Sequence, residues 1–398
     1  MKETITLRLV NSGVTMEVEM GTSLMEVLSK ADFARPYPIL VARVNNRYKE
    51  LSHRIFKPVT VEFLDVRHYE GYRVYQRTLS FVMQRASLEV FPGRKLRIRH
   101  SLGNGFYAEF DDRKPLSVED TALLKERMEA IVKEDIAITR SKRLSEEVSA
   151  EYAAYDFDER VALLTTRPQL YRTVNHLGTM PGYFFGVLAP STGYVPHFDI
   201  APYCNGFYVA LPARTNPEQI STMVNHDKMF EIFHEYQRWI DIMGVPTIGD
   251  LNRRVMEGDA SELIKIAEAV HELKIAAIAR MIAEANEERG VRMALISGPS
   301  SSGKTTFSKR LGVQLRVRGY DPVLIALDDY FVDRDKTPLG EDGKPGKPFL
   351  LPQEDPETYD YLLYSYNIPE LVTGEVEVSP YEIQQVALNE EAEQVKFE

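Results

Sequence analysis

The chain has 398 residues, of which 44% are apolar and 27% charged, with a formal net charge of −11. That length exceeds one ordinary core, so two to four domains are expected. The acid excess argues against a protein whose main work is holding nucleic-acid backbones, because that work relies on Lys and Arg to neutralise phosphates; a local basic patch stays open. The single cysteine, Cys204, cannot form an intramolecular disulfide or a cysteine-based zinc site. No stretch approaches the roughly 18 uninterrupted apolar residues of a bilayer-spanning helix. The opening residues alternate polar and apolar side chains, unlike a signal peptide, so no membrane partner and a cytoplasmic location are expected.

From residue 1 to about 65, alternating segments (Thr4–Val10, Thr15–Glu19, Val59–Phe63) predict strands around a short helix near Ser23–Ala31. Thr22 or Ser23 is placed to cap that helix, and Leu24, Val27 and Leu28 supply its apolar stripe. This arrangement resembles the ubiquitin-like TGS module. From residue 66 the pattern predicts a helix over Val74–Val90, strands at Leu96–His100 and Gly105–Phe110, and a helix from about Val118 to Lys133. The run Phe91-Pro92-Gly93, then Lys95-Leu96, then Asn104-Gly105-Phe106-Tyr107 resembles the second N-terminal domain of threonyl-tRNA synthetases. That resemblance implies an editing pocket built on a His-x-x-x-His pair with a later Cys and His. The corresponding places here hold Arg77, Phe81, Phe184 and Leu188, so no editing chemistry is expected.

Residues from about 145 to 255 are rich in Tyr, Phe and Pro and show little legible periodicity. The scattered His100, His176 and His197 lack metal-ligand spacing and are expected in structural roles. The basic run Arg94-Lys95-Leu96-Arg97-Ile98-Arg99 suits either RNA contact or the solvated face of a sheet. Apolar residues at helical spacing then predict a long connecting helix from Ala260 to about Glu288, with Gly290 as a stop.

Val291–Ser297 is an apolar run suited to a buried parallel strand. It leads into Gly298-Pro299-Ser300-Ser301-Ser302-Gly303-Lys304-Thr305, which fits G-x-x-x-x-G-K-[ST] without a mismatch, and Thr306 continues into a helix. Glycines let the backbone amides face a polyphosphate. Lys304 is positioned for the β- and γ-phosphates and Thr305 for Mg²⁺, which predicts a site for ATP and Mg²⁺ built from Gly298, Ser300, Ser301, Ser302, Gly303, Lys304, Thr305 and Thr306.

A second apolar run, Pro322–Leu327, ends in Asp328-Asp329-Tyr330-Phe331. Carboxylates at a strand end beside a phosphate site suit proton acceptance and water-mediated Mg²⁺ binding, although Asp-Asp also suits a solvated turn. With Glu354-Asp355-Pro356-Glu357-Thr358-Tyr359-Asp360, these segments resemble the uridine kinase and phosphoribulokinase superfamily. The resemblance implies Asp328 as general base with Lys304, Asp329 near the metal, and Tyr330 and Asp355 toward a nucleoside substrate; Asp355 serves equally as a helix cap. No arginine follows Tyr381, so the superfamily's Arg-rich lid is missing and an incomplete kinase domain is expected.

The expected architecture is a multidomain α+β N-terminal region followed by an α/β P-loop domain with a parallel sheet. Its parts are a ubiquitin-like module at 1–65, a synthetase-like region at 66–255, a connecting helix at 256–290 and a P-loop domain at 291–398. The leading expectation is phosphoryl transfer from ATP to a nucleoside 5′-hydroxyl. The alternative is a catalytically impaired nucleotide-binding regulatory or RNA-associated protein. Oligomeric state is not legible in the sequence.

Overall fold

The computed structural model describes residues 3–222, 227–299 and 301–326, together with the backbone of 375–378 and 393–396. The chain divides into two compact units, Met1–Ala260 and Ser261–Glu398.

Unit 1 opens with a five-stranded mixed sheet in the order β2-β1-β5-β3-β4, from β1 (Thr4–Leu9), β2 (Thr15–Glu19), β3 (Val41–Val44), β4 (Arg47–Lys49) and β5 (Val59–Leu64). β1 and β5 run parallel at its centre. Strict alternation puts Ile5, Leu7 and Leu9 on one face, where they meet Leu24, Val27 and Leu28 of helix α1 (Leu24–Lys30). Ser23 begins that helix through a capping box: its hydroxyl accepts from the Glu26 amide while the Glu26 carboxylate accepts from the Ser23 amide. The sheet thus carries one helix on this face, while Leu40, Val41 and Leu64 join the core that the next helix builds.

The second layer rests on helix α2 (Tyr69–Val90). A four-stranded antiparallel sheet, ordered β11-β12-β7-β6, combines β6 (Leu96–Leu102), β7 (Gly105–Phe110), β11 (Asp199–Tyr203) and β12 (Gly206–Ala210). Phe106, Ala108, Phe110, Phe207 and Val209 point from one face into a core with Val74, Leu79, Val82 and Met83 of α2 and Leu124, Met128 and Ile131 of α3 (Val118–Lys133). A three-stranded sheet, β10-β9-β8, is formed by β8 (Ile138–Leu144), β9 (Tyr171–Leu177) and β10 (Met180–Gly182), packed with α4 (Ser145–Ala154). Helix α5 (Asp158–Thr166) joins α4 and packs against α7 (Ile248–Met256), and a short hairpin pairs β13 (Pro212–Ala213) with β14 (Asn216–Ile220).

Helix α6 (Asp227–Met243) lies in the stretch where sequence periodicity was not legible, and none of its residues is buried. It crosses the free face of the four-stranded sheet through ring contacts, including Phe233 on His100 and Phe230 on Tyr107.

Unit 2 holds α8 (Ala260–Arg289) and α9 (Lys304–Val317). The expected parallel sheet does not form among the described residues: 291–299 and 321–326 are not strands, and Leu295 stays 74% exposed and Leu324 50% exposed. In α9 the apolar residues Phe307, Leu311 and Leu315 pack on Ile275, Ile278, Ala279 and Ile282 of α8. The only described strand pair of this unit, β15 (Glu375–Val378) with β16 (Glu393–Lys396), is antiparallel. Among the described residues no helix is long and apolar enough to cross a membrane.

Gly71 sets how closely α2 approaches the end of β5: a Cβ there would lie 1.9 Å from the Asp65 carbonyl oxygen. Gly71→Ala must therefore displace backbone. The expected result is a loss of about 1–3 kcal/mol, read as a lower urea midpoint at unchanged slope, whereas Gly312→Ala, which lies within a helix and whose Cβ would meet nothing nearer than 3.7 Å, is expected to cost less.

Candidate functional site

The loop leading into α9 is tightly curled. Ser301 and Gly303 adopt positive φ, 61° and 86°, and the Ser302 amide donates to the Pro299 carbonyl at 3.2 Å, which curls the chain. Gly303 is the N-cap of α9 and offers no side-chain cap; the first helical bond at this end is Phe307 N–H to the Gly303 carbonyl. The amides of the first turn therefore point out of the helix without an intrahelical acceptor, at the positive end of its dipole. Lys304 Nζ folds back to donate to the carbonyls of Gly298 and Pro299 at 2.9 and 3.0 Å, which holds the ammonium over the loop.

Seven residues expected at this site are thus brought together: Gly298, Ser301, Ser302, Gly303, Lys304, Thr305 and Thr306. The Thr305 and Thr306 side chains are exposed at the head of the helix. A threonine hydroxyl is a hard oxygen donor of the kind Mg²⁺ takes, so the donor chemistry fits the expected ion. Ser300, Asp328, Asp329, Tyr330 and Asp355 lie outside the described residues. The neighbouring helix supports the loop from below, where Glu272 of α8 bonds Arg310 at 2.6 Å and Gln314 at 2.7 Å. These bonds hold its carboxyl below the usual range.

In unit 1 the four positions aligned with an editing pocket do converge, and their side chains close it. The Phe81 and Phe184 rings meet with centroids 5.0 Å apart, and Phe81 is fully buried with Leu188 in the same core. Arg77 fills the adjoining space, donating to the Val187 carbonyl at 3.2 Å and pairing with Glu70 at 2.6 Å. Gly182 and Gly186 exist where these side chains need room: a Cβ on Gly182 would fall 2.6 Å from the Phe81 ring, and one on Gly186 2.5 Å from the Arg77 guanidinium. The place is packed with apolar rings and one guanidinium neutralised by the Glu70 carboxylate.

The basic strand β6 is also occupied. Arg94 pairs with Asp112 at 2.8 Å, Lys95 with Asp158 at 2.5 Å, Arg97 with Asp111 at 2.7 Å and Arg99 with Glu109 at 2.8 Å. Of its two sequence-level interpretations, a self-neutralised sheet surface is the one these pairs support. Beside it, sequence reasoning missed a cluster of rings between β6, β7, β11 and α6. His100 stacks on Phe233 with centroids 4.0 Å apart, and Tyr107 and Tyr203 meet Phe230 at 5.0 and 5.3 Å. Burial holds the His100 pKa down and, with the neighbouring Glu109 carboxylate, pushes the Tyr107 hydroxyl well up. The available signal was the spacing of Phe230, Phe233 and Gln237 on one helical face.

No family model matches the chain. The chain is similar to threonine–tRNA ligases. That of Symbiobacterium thermophilum is 28% identical over 197 residues, covering 49% of this chain and 30% of that protein. Those of Desulforamulus reducens and Acetivibrio thermocellus are 27% identical over 157 residues and 32% over 128, covering 39% and 32% of this chain and 25% and 20% of theirs. The chain thus spans less than a third of the length of the curated relatives it matches. These similarities support the synthetase-like modules and overturn the expected nucleoside kinase: the relatives are tRNA ligases, and nothing among them points to uridine kinase or phosphoribulokinase. The roles of Asp328 as base and of Tyr330 and Asp355 toward a nucleoside are withdrawn with it.

If the closed pocket is structural, Phe81→Ala should act through packing. The expected cost is about 3–5 kcal/mol of stability, measured by urea unfolding, whereas Arg77→Lys, at the polar edge, is expected to cost less than half as much.

Proposed function

We propose that this chain is a nucleotide-binding regulatory protein that associates with RNA through its synthetase-like unit and carries no hydrolytic site there. The observation that carries the nucleotide part is the Lys304 ammonium, held on two loop carbonyls at the uncapped head of α9. Converging amides, a helix dipole and a lysine form the chemistry that recognises a triphosphate. ATP is the assigned ligand and Mg²⁺ its companion ion. Gly298, Ser301, Ser302 and Gly303 would supply backbone amides, Lys304 the charge, Thr305 the oxygen toward the metal and Thr306 a further hydroxyl. The bound ion would screen the charge of the β- and γ-phosphates.

The RNA part is supported by the similarity to ligases that act on tRNA, and by the closed pocket at Arg77, Phe81, Phe184 and Leu188, which leaves unit 1 suited to binding rather than to reaction. A net charge of −11 and the paired cations of β6 confine any such contact to a small patch. Binding through few phosphates depends weakly on salt. A location among other RNA-handling proteins of the cytoplasm accords with this role.

Two measurements test this. Mg-ATP at about 100 times its dissociation constant should stabilise the folded chain by about 2.7 kcal/mol, seen as a raised melting temperature, and Lys304→Ala should remove the shift. A nucleoside panel added with Mg-ATP should release no ADP above background; nucleoside-dependent ADP would reject the proposal. For RNA, fluorescence anisotropy with a labelled tRNA should show affinity falling roughly tenfold between 50 and 200 mM salt, the slope of about two neutralised phosphates. Absence of binding at 50 mM salt would reject the RNA part.

A further inference from the structure

Helix α6 lies on the sheet in the way a single strand of nucleic acid would. The four-stranded sheet has two unlike faces: one is the apolar core with α2 and α3, and the other carries His100, Tyr107 and Tyr203, with Arg99 beside them. His100 and Tyr107 stack on each other with centroids 5.5 Å apart, forming a continuous aromatic surface. Glu109 sits among them with its carboxylate occupied, accepting from Tyr107 Oη at 2.8 Å and Arg99 Nε at 2.8 Å. Rings on an antiparallel sheet, with guanidinium groups at hand, are the chemistry that stacks unpaired bases and holds the phosphates between them.

Each contact that α6 makes there has a nucleic-acid counterpart. The Phe233 ring lies nearly parallel on His100, 13° from coplanar, as a base would. Phe230 packs against Tyr107 and Tyr203. The Asp241 carboxylate pairs with Arg113, as a phosphate oxygen would, and Gln237 accepts from Arg99 at 3.3 Å. The helix carries four carboxylates, Asp227, Glu231, Glu235 and Asp241, against Lys228 and Arg238, so its sign is that of the ligand it imitates. Its hold is slight for its length, because none of its residues is buried while Met229, Ile232, Tyr236 and Ile242 face solvent. A helix without buried side chains opens at low cost. Gly244, at φ 66°, closes the last turn, its amide donating to the Asp241 carbonyl at 3.1 Å.

We propose that the α6-covered face of this sheet is a binding surface for single-stranded RNA, and that α6 is its autoinhibitory cover. The proposal rests on the RNA association put forward above and assigns it a surface and a control. Binding requires α6 to leave, so the closed chain shows a reduced apparent affinity, set by the fraction that is open.

The test uses the full chain and a fluorescein-labelled 12-nucleotide oligouridylate, read by anisotropy. The variant Phe230→Ala/Phe233→Ala/Asp241→Ala removes the ring contacts and the carboxylate paired with Arg113 without touching the sheet. Circular dichroism and the melting temperature of the chain report whether it stays folded. The expected result is binding at least tenfold tighter than wild type, lost again when His100→Ala and Tyr203→Ala are added on the sheet side. A 12-base-pair RNA duplex should show no such gain, since its bases offer no free faces. Equal oligouridylate affinity for the folded triple variant and wild type overturns the proposal, as does a gain that persists without His100 and Tyr203 or that appears equally on the duplex. Wild-type binding of tRNA separates the two levels: with it, a failed gain rejects only the cover, and without it the RNA association falls as well.

Discussion

Helix α2 belongs to two cores at once, and the arrangement of unit 1 follows from that. Val74, Leu79, Val82 and Met83 face the four-stranded sheet and α3, while Phe81 reaches into the core under the three-stranded sheet. The helix also fixes the long segment after β10: Tyr75 exchanges hydrogen bonds with the His197 backbone at 2.7 Å, and Thr78 Oγ1 accepts from the Ala189 amide at 3.0 Å. Buried backbone groups that no strand could satisfy are satisfied by α2 side chains. Its start is set by contact of Gly71 with the end of β5, so the two layers share one origin.

The same helix decides what the synthetase-like pocket became. Positions 77 and 81 lie one turn apart on one face of α2, so any pair placed there points at the loop carrying 184 and 188. Imidazoles and a thiol at those four places would form a polar, reactive hollow. An arginine tied to Glu70 and the Val187 carbonyl, with two phenyl rings and a leucine, instead forms a continuation of the core. The fold is kept because packing replaces the polar groups with side chains that fill the same space, and Gly182 and Gly186 leave the room they occupy.

In unit 2 the loop at 301–303 and helix α9 form, while the strands that the sequence led one to expect are not seen among the described residues. The helical part is locally determined: Gly303 takes positive φ, the run from Lys304 onward has helical propensity, and the lysine reaches back over six residues or fewer. The strand candidates depend on neighbours, because an extended segment gains its hydrogen bonds only from an adjacent strand. Val291–Ile296 and Pro322–Ile325 have the composition of buried strands yet lie largely exposed.

What the sequence determined by itself was whatever a short stretch of chain can decide. Alternation set β1, β2, β5, β6 and β7; 3.6-residue periodicity set α1, α2, α3 and α8; Ser23 fixed the start of α1; and the glycines with Lys304 set the loop at 298–304. The tertiary structure alone decided that Arg77, Phe81, Phe184 and Leu188 meet in a closed interior, and that the cations of β6 each find a carboxylate. It also decided that α9 packs on α8, and that α6 covers a row of rings. The physical reason is distance along the chain. Phe81 and Phe184, or His100 and Phe233, are joined by more than a hundred residues of intervening fold, so no local pattern records that they touch, and only the closure of the whole unit brings them within van der Waals contact.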